Sequence, residues 1–373
     1  MTSRPVSVRI LHPDPDAASG PIEQWVATAR TALAARHEVA FRDAGATDVA
    51  MHRGPSDDTP FGARLRGILE RERPAGLVVL GSGAIPLATQ RDYRDLVEAA
   101  SRDDRFCLAN NRYSADVVAI ARADALPGLP DLPGDNALPR WLEEVAGYRI
   151  RDLRSRWRLA MDIDGPLDLV LLAPAGDPDG LELAVVRDRL AALRSVATNR
   201  RAELVVTGRI SAGTILWLER RVAARVRAIV EERGLRAASR LAQADVDIGT
   251  DERAGRSAIR VRPPASLLGA LLEWTGPEGL GTELAALGDA AVVDTRVLMA
   301  HRLGPDPAAW PEPEDRFASD LLLAERIRDP WLRRLTEAAR DAPIPVVLGG
   351  HSLVGPGLRL LIGGTRGSRS RWT

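Results

Sequence analysis

The stretch GLVVLGSGA at Gly76–Ala84 carries the strongest signal of a buried strand in the chain. Four consecutive apolar residues stand between glycines, and none of the nine residues is charged. A parallel strand that is covered on both faces has this pattern, because neither face presents polar residues to water. We therefore predict a central strand that ends in a glycine-rich turn.

Segments with strand and helix patterns alternate on either side of this stretch. Short apolar runs at Ser7–Leu11, Val49–Gly54 and Val117–Ala121 predict strands, whereas Ile22–His37 and Phe61–Glu72 have apolar residues at helical spacing. This succession favours an α/β fold with a mostly parallel sheet.

A second α/β pattern follows a segment rich in Pro, Gly and Asp, Ala173–Gly180. Glu203–Arg209, Ala290–Arg296 and the start of Ile344–Gly357 predict strands, while Val226–Val230 fits a strand or a helix. The length of 373 residues also exceeds a typical domain. The sequence predicts two α/β domains, at 1–173 and 181–362, and a flexible Gly-, Ser- and Arg-rich tail at 363–373.

The amino-acid composition limits which kinds of partner and site the protein can have. The chain has 51 basic and 51 acidic residues, so no net charge recruits nucleic acid or an anionic membrane. Neither a long apolar stretch nor a signal-peptide pattern occurs, and we expect a cytoplasmic protein. The single cysteine, Cys107, excludes an internal disulfide and a cysteine metal cluster. The sequence leaves a homodimer open.

Lysine does not occur in the sequence, so all 51 basic residues are arginines. This excludes a Schiff-base lysine, the lysine of a Walker A loop and a Ser–Lys nucleophile pair. The chemistry that remains uses arginines to bind anions, carboxylates to bind metals and glycine-rich backbone to approach phosphates.

The first candidate site is the turn Gly81, Ser82, Gly83 and Ala84. It follows the predicted central strand, and open α/β sheets bind ligands at the carboxyl ends of their strands. Backbone N–H groups of such a turn can approach a phosphate closely. The alternative interpretation is an ordinary tight turn between a strand and a helix.

A second candidate is the segment DIDGPLDL, which begins at Asp162. Alternation along an extended chain places the carboxylates of Asp162 and Asp164 on one side, where they could share Mg²⁺ or Mn²⁺. Asp168 would cap or begin the next helix. Aspartates that only cap and turn the chain are the alternative.

The loop NNRYSAD offers groups that suit a nucleotide or an acceptor. Asn110 and Asn111 have amide donors and acceptors for a base edge or a phosphate, Arg112 adds charge, and Tyr113 can stack on a ring. The alternative is a polar loop before a strand.

The segment LVVLGSGAIPLAT, at Leu77–Thr89, together with DIDGPLDL resembles the nucleotidyltransferases of the GT-A-like fold. The resemblance covers about half of the chain. The nearest types are the molybdopterin nucleotidyltransferases and the phospholactate guanylyltransferases. The resemblance implies a three-layer, Rossmann-like first domain. It also implies metal binding by Asp162 and Asp164, with Asn110–Tyr113 in a loop that contacts base or acceptor.

The chain departs from that family at two places. SVRILHPDPDAASG stands where the family has a glycine-rich loop with Arg and usually Lys. The turn after the central strand offers Ser82 where the family has an aspartate. Asp14 or Asp16 could replace that carboxylate, and the arginines that could neutralise phosphate charge are Arg64, Arg66 and Arg112.

The resemblance implies metal-dependent transfer of a nucleotidyl group from an NTP to a small phosphorylated or carboxylated acceptor, in cofactor biosynthesis. A nucleotide- or anion-binding protein without catalysis, acting as a sensor or assembly partner, is an alternative from another class. A third interpretation is a GT-A glycosyltransferase, since D-x-D is also its metal motif.

Three loops of the second half follow predicted strands. They contain Arg209, Asp294 with Arg296, and His351 with Ser352. If these strands are parallel neighbours, the loops meet at one edge of the sheet and form an anion site. Glu314–Leu322 could add Asp315, Arg316 and Asp320, or could be a helix start with charged caps.

Overall fold

The computed structural model describes residues 4–15, 18–55, 59–126, 128–132, 134–172, 178, 180–231 and 264–363. Asp16 and the predicted tail beyond Gly363 lie outside these ranges. The described residues form two compact units: one contains the residues up to 18 and 27–162, the other 19–26, 163–231 and 264–363. None of the helices in these ranges combines the length and the apolar composition that spanning a membrane requires.

The first unit contains a six-stranded sheet with the order β2-β1-β3-β5-β4-β6. Helices of this unit lie between the strands along the chain, and the N-terminal residues of α1 belong to the second unit. The strands are β1 Val6–Asp14, β2 Asp48–Pro55, β3 Gly76–Gly81, β4 Phe106–Ala109, β5 Val117–Ala121 and β6 Arg149–Asp152. The helices are α1 Pro21–Asp43, α2 Phe61–Glu72, α3 Gln90–Ala100 and α4 Leu138–Glu144.

The first sheet is mostly parallel, as predicted, but it is mixed because β5 runs against the other strands. Strand β5 runs antiparallel to both β3 and β4, while the other pairings are parallel. The connection from β4 to β5 spans only residues 110–116. A parallel crossover needs roughly a dozen residues or more, so neighbouring strands joined by this connection must be antiparallel.

Strand β3 is buried on both faces, as GLVVLGSGA predicts. Val78 and Leu80 pack in one cluster with residues of α1 and α3. Leu77 and Val79 pack in another cluster, with residues of α2 and α4. The two clusters explain why no polar residue alternates with the apolar ones along this strand.

The second unit contains a four-stranded sheet that is parallel throughout, with the order β10-β9-β7-β8. The predicted ambiguity at Val226–Val230 is resolved in favour of a strand. The strands are β7 Glu203–Gly208, β8 Arg225–Val230, β9 Ala290–Asp294 and β10 Val346–Gly349. The helices are α5 Pro166–Leu172, α6 Ala184–Ala197, α7 Ala212–Arg221, α8 Leu267–Thr275, α9 Leu280–Ala285, α10 Thr295–Leu303, α11 Pro313–Asp320, α12 Pro330–Arg340 and α13 Leu358–Gly363.

The order of this second sheet creates a reversal between β7 and β9. From β7 the chain proceeds outward to β8, returns to β9 on the other side of β7, and continues outward to β10. In open α/β sheets, ligands bind beyond the carboxyl ends of the strands at such a reversal. The loops after β7, β9 and β10 therefore lie at the edge where a site is expected.

Gly76 tests the packing of β3 against α3. A Cβ at this position would lie 2.2 Å from the carbonyl oxygen of Ala100, the last residue of α3. We expect Gly76→Ala to lower the free energy of unfolding by about 1–3 kcal/mol, since the contact is with backbone. Urea denaturation measures the change.

Gly81→Ala is the matched control, because a Cβ there meets no atom within 4 Å. It should change the free energy of unfolding by less than about 0.5 kcal/mol. Equal stability of the two variants would show that α3 moves away from β3 at little cost.

Candidate functional site

The turn Gly81–Ala84 begins at the last residue of β3 and is held by hydrogen bonds of its backbone N–H groups. The N–H of Gly81 donates to the carbonyl of Asp116 (3.3 Å), that of Ser82 to Leu11 (2.9 Å) and that of Ala84 to Gly81 (3.1 Å). Three of the four N–H groups in the turn are thus used within the protein. These bonds make the turn rigid, and there is open space beside Gly81. The N–H groups of the turn do not form a nest directed at an anion.

A cavity of about 140 Å³ opens beside this turn in the first unit. Three carboxylates and one guanidinium line it. A second cavity, of about 120 Å³, shares Leu11, Gly81, Asp116 and Asp135 with the first and is mainly apolar. The residues that contribute the charges are Arg30, Asp116, Asp135 and Asp162. Those of the apolar part include Phe61, Val79, Leu80, Ala115 and Val118.

The backbone of Asp162 lies beside the turn. Asp162 forms an antiparallel bridge with Ala84, and both residues line the polar cavity. The structure thus brings this residue of the DIDGPLDL segment beside the glycine-rich turn. Asp162 is the member of the predicted metal pair that lies in the first unit.

The carbonyl of Ala84 is held by a fully buried histidine. The Nε2 atom of His37 lies 2.9 Å from this carbonyl, and Nδ1 lies 2.9 Å from the hydroxyl of Tyr93. The carbonyl can only accept, so Nε2 carries the proton and the hydroxyl of Tyr93 donates to Nδ1. Burial lowers the pKa of His37 to about 3 and raises that of Tyr93 to about 12. Both groups are neutral at neutral pH, and the pair fixes the end of the turn.

The start of α3, beyond the turn, is held by a second network. Asp92 accepts hydrogen bonds from the N–H and hydroxyl of Thr89. Arg156 and Arg158 donate to the same carboxylate, and Arg158 also donates to the carbonyl of Leu87. Burial opposes the charge of Asp92, but these donors lower its pKa below the ordinary value. The chain on both sides of the turn is therefore rigid.

The predicted nucleotide-contacting residues Asn110–Tyr113 have partners within the protein. Asn110 is buried; its amide donates to Asp116 (2.7 Å) and to the carbonyl of Leu159 (2.8 Å), and its oxygen accepts from two backbone N–H groups. The contact with Asp116 makes Asn110 a support for a carboxylate of the cavity.

The other three members lie at the surface of this loop. The oxygen of Asn111 accepts from the N–H of Tyr113 (3.0 Å), and Arg112 forms an ion pair with Glu143. The guanidinium groups of Arg112 and Arg154 lie over the ring of Tyr113. None of the four residues lines the two cavities described above, so their contact with a base or an acceptor stays a prediction.

Two of the suggested substitutes for the missing family residues have partners of their own. Asp14 forms an ion pair with Arg53 (3.3 Å), and Arg66 forms one with Asp131 (2.8 Å). Neither Asp14 nor Arg66 lines the two cavities. A role for them beside a phosphate therefore stays a prediction.

Asp164 belongs to the second unit, unlike Asp162. Its carboxylate lies 3.3 Å from Nδ1 of His351. The N–H groups of Asp164 and Gly165 donate to the carboxyl of Asp168, both at 2.9 Å. Burial raises the pKa of Asp168 to about 8, and the charge of Asp164 adds to this effect. Asp168 caps the start of α5, as predicted, whereas a cation shared by Asp162 and Asp164 stays a prediction.

The three predicted loops of the second unit meet at the carboxyl edge of its sheet. Arg209, after β7, forms a two-pronged pair with the buried Asp294 at the end of β9, at 2.6 and 3.0 Å. Burial acts to raise the pKa of Asp294, but Arg209 outweighs it and the pKa lies below the ordinary value. Arg296 forms a similar pair with the buried Asp320 of α11.

The predicted segment Glu314–Leu322 contributes Asp320 to this edge. Arg316 and Asp315 of the same segment have other environments. Burial, followed by the charge of Arg296, lowers the pKa of Arg316. Asp315 accepts from the N–H groups of Arg328 and Asp329 and stabilises the chain before α12. Asp320 thus joins the edge as one alternative expected, whereas α11 has no side-chain hydrogen bond at its N-cap.

Within the described ranges, no group of three or more His, Cys, Asp or Glu side chains is assembled to hold a metal ion. A cation at the carboxylates around the polar cavity would therefore need further oxygen ligands from water or a bound molecule. Mg²⁺ is commonly bound in this way, through one or two carboxylates and substrate phosphates.

Sequence reasoning did not single out Arg30, Phe61 or Asp135 among the cavity residues. Arg30 lies on α1 and has no sequence signal beyond its place on the polar side of a helix. Phe61 resembles an ordinary core residue at the start of α2. Asp135 lies in a short 3₁₀ turn, Asp135–Ala137, where a loop carboxylate is indistinguishable from a capping group.

Searches against protein-family models and against curated proteins find no match for this chain.

His37 gives the site a pH dependence of stability. Its pKa is about 3 in the folded protein, against 6.5 for an ordinary histidine. The stabilisation is therefore complete above pH 6.5 and is lost as the pH falls toward 3. The expected slope is up to about 1.4 kcal/mol per pH unit in this window. Urea denaturation between pH 7 and pH 4.5 measures it.

His37→Gln should be less stable at pH 7 and should lack this part of the slope. His52→Gln, which removes a partly exposed histidine of the same unit, is the control and should retain most of it. An unchanged slope in His37→Gln would mean that another group causes the acid sensitivity.

Proposed function

We propose that the first unit binds a nucleoside triphosphate and transfers its nucleotidyl group to a small phosphorylated or carboxylated acceptor. The observation that carries this proposal is the junction of two cavities at the end of β3. One is lined by Asp116, Asp135, Asp162 and Arg30, and the other is mainly apolar. A nucleotide has the same division, with a charged phosphate chain joined to a planar base.

The apolar cavity suits the base. Phe61, Val79 and Val118 supply its walls, and Gly81 lines both this cavity and the polar one. Ligand sites commonly combine an apolar lining with a few polar groups that fix the orientation. Asp116 and Asp135 line both cavities, which would place them near the sugar or the edge of the base.

The polar cavity suits phosphates that share a divalent cation. Carboxylate oxygens are hard ligands, and Asp162 with Asp116 or Asp135 would hold Mg²⁺ or Mn²⁺. The bound ion would supply charge neutralisation for the phosphate chain. Arg30 adds a guanidinium to the same cavity, which is the cationic contact that a chain without lysine can offer.

Nucleotidyl transfer mainly requires that the acceptor and the phosphate chain are positioned correctly. An oxygen of the acceptor attacks the α-phosphorus, and pyrophosphate leaves on the opposite side. The protein contributes by holding the reacting groups in line, which converts an encounter into an intramolecular step. The turn held by His37 is a rigid surface against which the phosphate chain can be aligned. The resemblance to GT-A-like nucleotidyltransferases and the mixed α/β sheet are compatible with this proposal.

A binding protein without catalysis is the second candidate. It is favoured by the absence of a preassembled metal group among the described residues and by the pairing of Asp164 with His351. The two candidates differ in turnover: the enzyme releases pyrophosphate in the presence of a metal ion and an acceptor, whereas the binding protein retains the nucleotide unchanged.

Nucleotide affinity of Asp162→Asn tests the proposal. We expect one of the four NTPs to bind the wild type in the presence of Mg²⁺. The substitution should weaken this binding at least about tenfold, which corresponds to about 1.4 kcal/mol. Isothermal titration calorimetry with and without Mg²⁺ measures the effect, and a coupled assay detects pyrophosphate.

Asp103→Asn is the control, since Asp103 is an exposed carboxylate that pairs with Arg4. It should bind the nucleotide like the wild type. Binding that is independent of both Mg²⁺ and Asp162 would contradict the proposed site, and binding without turnover would favour the second candidate.

A further inference from the structure

The carboxyl edge of the second sheet has the features of a ligand site of its own. It lies at the reversal between β7 and β9, where open α/β sheets bind ligands. The groups gathered there come from loops and helices of the second unit: Asp164, Arg209, Asp294, Arg296, Asp320 and His351.

Two guanidinium groups are held at this edge in fixed orientations. Asp294 accepts from Nε and Nη2 of Arg209, and Asp320 accepts from both terminal nitrogens of Arg296. Both carboxylates are buried, whereas the arginines keep 19% and 12% of their side-chain surface exposed. A guanidinium has five N–H donors in one plane, so pairing with a carboxylate fixes the plane in which the group meets an anion.

The backbone is shaped to allow this arrangement. Gly208 has a φ of 125°, in the region that favours glycine, and a Cβ there would lie 2.2 Å from Cβ of Asp294. The hydroxyl of Thr295 donates to the carbonyl of Gly349 (3.2 Å) and accepts from Arg296 (2.9 Å). The loop after β10 is thereby attached to the same ion pair.

Polar groups on and beside this loop are accessible or lack a protein partner. His351 keeps 39% of its side chain exposed and Asp164 keeps 46%. The ring of His351 is close enough to Arg209 and Arg296 for their charges to act on it. The next residue, Ser352, is buried, and its hydroxyl has no hydrogen-bond partner within the described part of the chain.

We propose that this edge binds a small phosphomonoester that also carries hydroxyl groups. Arg209 and Arg296 contact the phosphate, because a planar fork of donors matches an oxyanion. Asp164 and His351 contact a hydroxyl, since a carboxylate accepts and an imidazole nitrogen donates or accepts. The buried carboxylates Asp294 and Asp320 are already neutralised by their arginines and do not repel the anion.

The test uses the full chain and calorimetric titration with glycerol 3-phosphate and ribose 5-phosphate. Glycerol and ribose are the neutral controls, and inorganic phosphate is the control without hydroxyl-bearing carbon. We expect a phosphorylated polyol to bind at least tenfold more tightly than inorganic phosphate, and the neutral polyols not to bind. Equal affinity for inorganic phosphate would overturn the contact with Asp164 and His351.

Arg209→Lys and Arg296→Lys keep the charge beside each buried carboxylate but lose the fork. Each should weaken binding at least tenfold, while Arg334→Lys, at an exposed arginine paired with Glu278, should have no effect. His351→Gln changes a partly exposed side chain and should also weaken binding. It replaces the lysine variants as the test if either of them fails to fold. Circular dichroism verifies the fold.

Asp162→Asn separates this site from the nucleotide cavity and should bind the phosphorylated polyol like the wild type. Loss of binding in Asp162→Asn, or unchanged binding in the arginine and His351 variants, would place the ligand elsewhere and overturn the proposal. Absence of binding by both phosphorylated polyols would overturn it as well.

Discussion

The central strands of both sheets are buried on both faces, and this constraint determines where charge can appear. The side chains of β3 and β9 pack into apolar clusters, and a charge in the middle of either strand would face no compensating group. Along β3 and β9, polar residues are therefore confined to the strand ends. In parallel strands these ends lie at one edge, so burial of the strands also concentrates the polar groups. The turn after β3 and the loops after β7, β9 and β10 are consequences of the same packing.

Each buried carboxylate at the edge of the second sheet is neutralised individually. Asp294 and Asp320 are buried with an arginine each, and removal of one partner would leave an uncompensated charge at a cost of about 3–5 kcal/mol. Asp168 is handled differently: burial raises its pKa to about 8, so it stays neutral at pH 7. Such pairs add little net stability compared with apolar residues, because desolvation offsets the attraction. Their effect is to fix the orientation of the arginines.

The fold could be predicted where one local pattern determined the structure. The burial of β3 follows from Leu77–Leu80 alone, and the meeting of Arg209, Asp294 and Arg296 follows from three strand-to-loop patterns once the strands are parallel. The direction of β5 required the short strand β4, Phe106–Ala109, whose four residues give too weak a pattern to be recognised. The antiparallel direction of β5 was therefore not predicted.

The candidate site was less predictable, because side-chain partners depend on distant segments. Asn110 has the donors and acceptors that suit a nucleotide, yet Asp116 and Leu159 use them within the protein. Asp164 stands two residues after Asp162, but its neighbour is His351, which is 187 positions away in sequence. His37 has the spacing of a core helix residue, and only its contact with Ala84 reveals that it supports the turn. Spacing identifies which residues share an element, whereas these contacts join different elements.

Because lysine does not occur in the sequence, both units use arginine in their ion pairs. A lysine ammonium can rotate to meet an anion, but a guanidinium is planar and acts best when its plane is fixed beforehand. A chain that relies on arginine alone therefore needs carboxylates to orient its cations, and the 51 acidic residues match the 51 arginines. The pairs at Arg209, Arg296, Arg156 and Arg158 all follow this scheme. Because the net charge is zero, selectivity for an anion must come from the geometry of such paired groups rather than from an overall positive field.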